Sequence, residues 1–453
     1  MLQIHVALPS GKRKSLTLPQ SSKVGDLKRL AQQSFQQGFL RLVTAKGRVL
    51  SAAESLEEAG LQDQDELTAI VRQAKFVSNP EAFALWCFGG DGIVTWGNPT
   101  LGGDSSAVQQ QLKSVQQVQG THSAMEALGV SGAFAAILAD GSLVTWGSEP
   151  LSSAAVHDQL KNVQHVQGTL AAFAAVLSDG SVVSWGNPAL GGDTAPVQDQ
   201  LRNVWQIQAT AGAFCAIRMD GSVVTWGDGL CGGDSSAVQG QLKNVRQARS
   251  NQAAFAAILS DGSAVTWGGA HAGADGGDSS AVRGQLKNVQ QIESTTNAFA
   301  AILADGSVVT WGDRGHGGDS SAVQDQLKSV RQIQGTYVAF AAVLSDGSVV
   351  TWGARAFGGD SLLVQHFLKN VQQIRATGGA FAAILADGSV VTWGHPDHGG
   401  DSSSVQSQLR NVQEVQATRS AFAAILSDGS VVTWGAPGCG GDSSSVQEQF
   451  LDL

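Results

Sequence analysis

The sequence predicts a mainly β protein, in which a small α+β domain precedes a β-propeller of about nine short blades. A Trp-Gly pair recurs nine times, and after the first interval its spacing is 39 to 44 residues, mostly 41. Such a period is typical of propellers and solenoids, whose units must stack to bury their apolar faces. An Asp-Gly pair lies between two apolar runs in every unit, which predicts a hairpin with a type I′ turn. The recurring tryptophans are Trp96, Trp146, Trp185, Trp226, Trp267, Trp311, Trp352, Trp393 and Trp434.

The composition limits the function classes. The chain has 453 residues, 15% of them charged, and a formal net charge of -10. Direct nucleic-acid binding is not expected, because it requires clustered basic residues. The four cysteines form no CxxC pair, so we expect reduced thiols rather than a zinc site or disulfides. No apolar run approaches the roughly 18 residues of a membrane span, and the N-terminal stretch alternates like a strand. We therefore expect a cytoplasmic or nuclear protein.

Residues 1–73 predict the order strand, strand, helix, strand, strand. MLQIHVAL and RKSLTL alternate in polarity around a PSGK turn, which is typical of a hairpin. VGDLKRLAQQSF has the apolar spacing of an amphipathic helix, with Val24, Leu27 and Ala31 on one face. FLRLV and ELTAIVR complete the segment as two further strands.

This order resembles the ubiquitin-like β-grasp fold over the whole segment. The chain continues through Gln73-Ala74-Lys75 instead of ending in Gly-Gly, so we expect an integral domain that is not conjugated to other proteins. The resemblance implies a receptor-binding patch on the sheet at Leu8, Val43 and Ile70. The alternative is that these three are ordinary strand residues.

Each repeat of residues 74–453 predicts three strands and a fourth, weaker element. VQQIQAT is strand A, AFAAIL is strand B and SVVTWG is strand C, whereas SSAVQDQLKN is a short edge strand or a helical turn. Strand C alternates Val391 and Trp393 with Val390 and Thr392, so both of its faces are apolar or small. A solenoid wall shows one face to water, whereas a propeller blade buries both. A propeller is therefore favoured over an open β-solenoid.

The unit resembles the regulator of chromosome condensation repeat. The residues that carry the resemblance are Phe381, Leu385, Asp387-Gly388, Val390, Trp393-Gly394 and Gly399-Gly400-Asp401. That family has seven blades of about fifty residues, whereas this chain has nine shorter units. The units begin with strand A and finish with the fourth element, so closure would require the first and last blades to meet through side-chain packing. An open or overwound arrangement is the alternative.

Two stretches vary among otherwise similar repeats, namely the A–B connection and the segment between Trp-Gly and Gly-Gly-Asp. The first unit boundary adds a longer excursion at 121–131. In an up-and-down blade both connections emerge at one rim, where binding residues collect on a rigid scaffold. Arginine and aromatic residues are favoured anchors of interfaces. The predicted protein-binding residues on this rim are Arg314, His316, Tyr337, Arg355, Phe357, His395 and His398; drift in exposed loops is the alternative.

No pattern in the sequence indicates catalysis, a cofactor or a metal. The recurring tryptophan is interpreted as core, and the Asp of Gly-Gly-Asp as a turn cap rather than a calcium ligand. His395 and His398 have no third ligand nearby in the sequence, so a zinc site is not predicted. The leading hypothesis is a non-catalytic scaffold whose rim binds a protein partner and whose first domain docks on ubiquitin-pathway receptors. The alternatives are a substrate-recognition component of a ubiquitin ligase and a guanine-nucleotide exchange factor for a small GTPase.

Overall fold

The computed structural model describes residues 1–88, 92–121, 132–148, 153–269 and 276–453. The first domain contains β1 (Leu2–Ala7), β2 (Arg13–Leu18), α1 (Val24–Phe35), β3 (Leu40–Thr44) and β4 (Glu66–Val71). Its sheet has the order β2-β1-β4-β3, with β1 parallel to β4 and the other pairs antiparallel. Val24, Leu27 and Ala31 of α1 are fully buried in the same apolar cluster as the inner face of the sheet. This is the β-grasp fold that the sequence predicts.

The remaining described residues form nine three-stranded antiparallel sheets, here numbered as blades 1 to 9. The A strands are Ala74–Ser78, Val115–Gly120, Val163–Gly168, Val204–Ala209, Val245–Ser250, Val289–Ser294, Val330–Gly335, Val371–Ala376 and Val412–Ala417. The B strands are Ala82–Cys87, Ala133–Leu138, Ala172–Leu177, Ala213–Arg218, Ala254–Leu259, Ala298–Leu303, Ala339–Leu344, Ala380–Leu385 and Ala421–Leu426. The C strands are Ile93–Gly97, Leu143–Gly147, Val182–Gly186, Val223–Gly227, Ala264–Gly268, Val308–Gly312, Val349–Gly353, Val390–Gly394 and Val431–Gly435.

The fourth element of the described units consists of turns and short 3-10 helices, not of a strand. The 3-10 helices before and within it are Pro99–Leu101, Ser106–Val108, Ala154–Gln159, Pro188–Leu190, Gln198–Gln200, Gly229–Cys231, Arg314–His316, Arg355–Phe357, Pro396–His398, Pro437–Cys439, Ser444–Val446 and Gln449–Leu451. The blades therefore have three strands, and the helical-turn alternative for this element is the correct one. None of the helices in the described ranges is long and apolar enough to span a bilayer.

Burial on both faces of each blade confirms the propeller. In strand B of blade 8, every residue from Ala380 to Ile384 is buried, which includes side chains of both faces. Each face packs against a different neighbour: Phe381 lies in a cluster with strands of blade 7, whereas Ala382 lies in a cluster with strands of blade 9. Sandwiching between neighbours is what removes the water-facing side that a solenoid wall would show.

The B–C hairpins correct one detail of the sequence prediction. In blade 2, Gly141 has φ 78°, but Asp140 is not among the residues with positive φ. Gly141 N donates to Leu138 O at 2.9 Å, and Leu138 N donates to Ser142 O at 3.0 Å. This is a three-residue loop with a left-handed glycine, whereas a type I′ turn would need positive φ at both central residues. The expectation of type I′ turns was therefore wrong, although the requirement for glycine was right.

The recurring tryptophan is buried, and its indole N–H forms a hydrogen bond to the preceding unit. Trp311 is stacked on Phe299 of its own blade, with ring centroids 5.3 Å apart. Its indole Nε1 donates to the carbonyl of Gly276, in the loop that follows blade 5, at 3.0 Å. Equivalent bonds of 2.9–3.2 Å join eight of the nine tryptophans to a Gly-Gly carbonyl within the described ranges. The core interpretation of the tryptophan is confirmed.

The ring is closed between blades 9 and 1. Trp96 of blade 1 makes the same bond as the other tryptophans, since its Nε1 donates to Gly440 O at 3.2 Å. Ser78 Oγ donates to Ala417 O at 2.6 Å across the same junction. Phe450, from the fourth element of the last unit, packs edge-on against Trp96 with centroids 5.2 Å apart. Blades 1 and 9 each consist of consecutive strands, so no blade is shared between the ends of the array. The open alternatives are excluded.

The β-grasp domain covers this junction. Val71 ends β4 and Ala74 begins blade 1, so two residues connect the domains. Phe39 is buried in one apolar cluster with the aromatic residues of blade 1 and with Phe450. Arg72 Nη1 donates to Leu453 O at 2.6 Å. The domain lies against the B–C turn of blade 9, where a Cβ on Gly429 would approach the backbone of residue 38 to 2.9 Å. It therefore occupies the rim opposite to the variable loops.

Candidate functional site: a ring cluster on the variable rim

The A–B and C–D loops meet at one rim of the propeller, as the sequence predicts. In blade 7, Thr336 Oγ1 of the A–B loop donates to the carbonyl of Phe357 in the C–D loop at 3.1 Å. Backbone bonds also join the A–B loops of successive blades, for example from Tyr337 N to Gly378 O and from Gly378 N to Arg419 O, both at 2.8 Å. This series continues across the closing junction, where Arg419 N donates to Pro80 O at 2.8 Å. Among the described residues, backbone bonds thus link the A–B loops in series from blade 3 through blade 9 to blade 1.

Four ring side chains converge on this rim at blades 7 and 8. Tyr337 comes from the A–B loop of blade 7, Phe357 from the C–D loop that follows it, and His395 and His398 from the C–D loop after blade 8. The ring centroids of Phe357 lie 5.5 Å from His395 and 6.0 Å from His398, and the two histidines are 5.3 Å apart. Tyr337 lies 6.5 Å from His398. We call these four residues the rim cluster; all are half-buried.

Two glycines make room for the rim cluster. A Cβ on Gly379 would lie 2.9 Å from both Phe357 Cδ1 and His398 Cγ, and a Cβ on Gly378 would lie 2.3 Å from Tyr337 Cε2. These distances are well below van der Waals contact, so the three rings pack directly over the backbone of the A–B loop of blade 8. The two consecutive glycines in that loop are thus a local requirement of the cluster.

The two histidines present different hydrogen-bonding edges. His398 Nδ1 lies 3.2 Å from Arg419 O and 3.0 Å from Ser420 Oγ. A carbonyl only accepts, so Nδ1 carries the proton and Nε2 is the acceptor of the neutral ring. His395 Nδ1 instead accepts from Asp397 N at 3.3 Å, which leaves the proton of its neutral form on Nε2. The cluster therefore combines aromatic faces with one imidazole acceptor and one imidazole donor.

A buried charged group lies at the closing junction next to the rim cluster. Arg419 Nη2 is 2.8 Å from Glu81 Oε1, and the Glu81 side chain is only 4% exposed. The thiol of Cys439 donates to Glu81 Oε2 at 3.3 Å. Burial, together with the neighbouring Glu81 carboxylate, raises the pKa of Cys439 to about 11. The sequence analysis did not select these residues; the signal was that Glu81 is acidic where Ala171, Gly379 and their equivalents are not.

The other predicted rim residues lie outside the cluster and pair within their own loops. Arg314 Nη2 is 2.7 Å from Asp319, and His316 Nδ1 is 2.8 Å from Asp313 Oδ1. Arg355 is highly exposed and its nearest carboxylate, that of Asp360, is 3.9 Å away. Most of the excursion at 121–131 lies outside the described residues. The structure thus brings together Tyr337, Phe357, His395 and His398 and leaves the three others as separate surface groups.

On the β-grasp domain, one of the three predicted patch residues is buried. Leu8 belongs to the apolar core, in phase with Ile4 and Val6, so its inclusion in an exposed patch was wrong. Val43 is half-buried, and Ile70 on the neighbouring strand is 43% exposed. Both project from the outer face of the sheet, because their neighbours along β3 and β4 fill the inner face.

The Gly-Gly-Asp loops have the geometry of turns. Asp319 Oδ1 accepts from Ser321 N at 2.9 Å, and Asp401 Oδ1 accepts from Ser403 N at 2.9 Å. These backbone hydrogen bonds lower the pKa of both carboxyls. Among the described residues, no group of three or more His, Cys, Asp or Glu side chains is arranged to hold a metal ion.

Blade 7 carries a further departure from the repeat on its outer edge. Leu362, Leu363 and Phe367 replace the Ser, Ala and Gln of the typical unit, and Leu363 is 92% exposed. The unit that supplies Tyr337 and Phe357 therefore also has the most apolar outer edge.

No family model matches the chain. No curated protein matches it either. The ectodomain of the receptor kinase CR4 from Physcomitrella patens is 15% identical, over 62% of this chain and 74% of that chain, with a TM-score of 0.36. Prp20p from Saccharomyces cerevisiae, the yeast RCC1, is 18% identical, over 52% of this chain and 72% of that chain, with a TM-score of 0.34. The ubiquitin of Caldiarchaeum subterraneum is 25% identical, over 16% of this chain and 94% of that chain, with a TM-score of 0.15. The fold assignment rests on the strand pairing and blade contacts of this chain.

Proposed function

We propose that this protein is a non-catalytic interaction scaffold that binds a partner protein through the rim cluster. The observation that supports the proposal is the convergence of Tyr337, Phe357, His395 and His398 from three loops onto one half-buried surface. Aromatic side chains in partly enclosed positions are favoured as interface anchors. The four differ from the residues that most other units carry at the same positions, such as Ala211 in place of Tyr337 and Leu190 in place of Phe357 or His398.

The hydrogen bonds that fix the rim loops in place favour tight binding. Backbone bonds connect the described A–B loops of neighbouring blades. In six blades a threonine of this loop also donates to a carbonyl of the C–D loop, as in Thr377 Oγ1 to His398 O at 2.8 Å. Loops fixed before binding lose little conformational freedom when the partner docks, so more of the contact energy appears as affinity.

Partner capture by rim variants tests the proposal. A combined Tyr337→Ala, Phe357→Leu and His398→Leu variant introduces residues that other units carry at these positions, as in Ala211 and Leu190, so the fold should persist. Proteins retained from a cell extract by the wild-type chain should be lost with this variant, as measured by quantitative mass spectrometry.

Lys328→Ala with Lys369→Ala provides the matched control, because both lysines lie in the linkers at the opposite rim. This control should retain the partner. Equal losses from the rim variant and the lysine variant, or no loss from either, would contradict a rim-binding scaffold.

We further propose that the β-grasp domain docks on ubiquitin-receptor domains through Val43 and Ile70. The exposure of Ile70 and the outward position of Val43 support this part of the proposal. In the full chain, Val43→Asp should abolish weak binding to a panel of receptor domains without changing the melting temperature. Lys14→Asp, at an exposed residue of the edge strand β2, should leave binding intact. Absence of binding by the wild-type chain at high micromolar concentration would reduce the domain to a cover over the ring junction.

A further inference from the structure

A cavity on the ring axis opens at the variable rim. Its volume is 480 Å³, and it is lined by the ends of the A strands and by the A–B loops. This volume lies within the range of sites that hold small molecules. The cavity is distinct from the rim cluster, although Tyr337 borders both.

The charged groups that line the cavity are of one sign. Among the described residues of its wall, the charged side chains are Arg249 and Arg419, and none is acidic. The whole chain has a net charge of -10, so a purely cationic cavity wall is opposite in sign to the molecule. Arg419 is neutralised by Glu81 at 2.8 Å, which leaves Arg249 as the cation of interest.

Arg249 is incompletely paired. Its nearest carboxylate is that of Glu293 on the next blade, with 3.8 Å between Nη2 and Oε1, which is too long for a hydrogen bond. Its Nε is buried and has no hydrogen-bond acceptor among the described residues. Glu293 is half-buried, and this partial burial raises its pKa despite the presence of Arg249. The carboxylate is therefore a poor counter-ion at the distance that it occupies.

Arg249 occupies a repeat position that carries an arginine in only two blades, at Arg249 and at Arg375. It is the penultimate residue of strand A, a position that is glutamine in five other blades, namely at Gln119, Gln167, Gln208, Gln334 and Gln416. Gln167 and Gln208, from the two preceding blades, line the same cavity. A cavity lined by a guanidinium and two amide groups offers several hydrogen-bond donors to the oxygens of a carboxylate or a phosphate.

We propose that the axial cavity binds a carboxylate or phosphate group through Arg249, with Gln167 and Gln208 on the same wall. This group belongs either to a small free acid or to an acidic side chain that a partner inserts from the rim. The proposal does not depend on the rim cluster, since Arg249, Gln167 and Gln208 lie in blades 5, 3 and 4, whereas the cluster lies at blades 7 and 8.

The repeat itself supplies the test variants. Arg249→Gln, Glu293→Gln and Arg375→Gln each place glutamine at the penultimate position of strand A, where five blades already have it. Arg375 is the matched control, because it changes the net charge equally. It does not line the cavity, and its Nε donates to Val415 O at 3.2 Å.

Calorimetric titration with succinate, inorganic phosphate and an acetylated Gly-Glu-Glu-Gly peptide measures the binding. Arg249→Gln should weaken the binding of the best probe at least about tenfold, as expected for a lost charge-assisted hydrogen bond. Arg375→Gln should change it less than about twofold. Glu293→Gln should strengthen it, because it removes a carboxylate 3.8 Å from Arg249 that repels an incoming anion.

The outcomes separate the two sources of the anion. Saturable binding of succinate or phosphate indicates a small free acid, whereas binding of the peptide alone indicates an acidic side chain of a partner. If Arg249→Gln fails to fold, the Arg249→Gln/Glu293→Gln double variant restores the uncharged lining of other blades and should still lose binding. No binding of any probe at millimolar concentration, equal effects of Arg249→Gln and Arg375→Gln, or weaker binding after Glu293→Gln would overturn the proposal.

Discussion

Replacing Trp311 with alanine should destabilise the whole ring. The side chain is 4% exposed, stacks on Phe299 at 5.3 Å and donates to Gly276 O of the preceding unit at 3.0 Å. Truncation of a buried tryptophan costs about 3–5 kcal/mol, and the lost inter-blade hydrogen bond adds about 1 kcal/mol. In a closed ring both neighbours of blade 6 are held by further blades, so we expect one cooperative transition at a lower temperature.

The expected shift in melting temperature follows from the size of the ring. An unfolding entropy of about 2.1 cal/mol/K per residue over about 380 residues gives about 0.8 kcal/mol/K, so a loss of about 4–6 kcal/mol corresponds to about 5–8 °C. Calorimetry combined with far-UV circular dichroism measures this shift. Trp311→Phe should recover most of the buried volume and lose mainly the hydrogen bond, with a shift of about 1–2 °C.

Trp205 offers a matched control. It lies in strand A of blade 4 and is 45% exposed, so Trp205→Ala should shift the melting temperature by less than about 1 °C. An unchanged melting temperature for Trp311→Ala, or a shift equal to that of Trp205→Ala, would refute the assignment of Trp311 to the blade core. Separate transitions for a few blades and for the remainder would refute the cooperative closed ring.

Two further predictions concern the protonation and reactivity of buried groups. Burial lowers the pKa of Lys28 at the domain interface to about 8, whereas the unfolded chain keeps the usual pKa of 10.5. Between these two pH values the unfolded chain binds more protons than the folded protein. The contribution of Lys28 to the free energy of unfolding should therefore increase from about pH 8 to 10.5. The difference in urea stability between the wild type and Lys28→Met, measured across this range, should show that rise, and a constant difference would contradict it. Burial also raises the pKa of Cys87 to about 11 and strongly raises that of Cys215. Iodoacetamide should therefore modify the half-buried Cys231 of the native protein first, as measured by mass spectrometry with a Cys231→Ala variant as the control. Equally fast labelling of Cys215 would contradict its burial.

The secondary structure could be predicted from the sequence wherever one periodicity was sustained. The predicted helix VGDLKRLAQQSF coincides with α1 (Val24–Phe35), and strands B and C follow the apolar runs around each Asp-Gly pair. The turn type was wrong because two-residue and three-residue hairpin loops both require a left-handed glycine. Only the register of the flanking strands, which apolar runs on both faces do not specify, separates the two.

For Leu8, the family resemblance gave a wrong prediction of exposure, whereas the alternation of buried and exposed residues along the strand predicts its burial correctly. Leu2, Ile4, Val6 and Leu8 share one phase of the strand, and all four are buried. The same rule places Val43 and Ile70 out of phase with the buried residues of β3 and β4, where the structure has them. Period-two alternation thus predicts the exposed face correctly, whereas the position transferred from the family does not.

The sequence predicted the variable rim of the propeller better than it predicted which residues of that rim form the candidate site. Exposed loop residues could be selected by comparison among units, and four of the seven rim candidates lie together. Which four depended on Gly378 and Gly379, whose lack of Cβ atoms admits the rings, and on the angle between neighbouring blades. The axial cavity was missed because Arg249 is distant in sequence from Gln167 and Gln208, and only ring closure turns all three toward one axis.

Closure of nine similar units raises a problem of specificity that the junction between blades 9 and 1 resolves. The bond from Trp96 to Gly440 is the one that seven other interfaces use within the described residues, so it cannot distinguish this junction from a wrong pairing of blades. The contacts that do distinguish it are particular to the two ends: the buried pair of Glu81 with Arg419, and Phe450 and Phe39 around Trp96. A buried ion pair adds little net stability, but a wrong partner would leave one buried charge unpaired at a cost of several kcal/mol. Packing common to all units therefore stabilises the ring, and the few departures from the repeat at its ends select nine blades in the correct order.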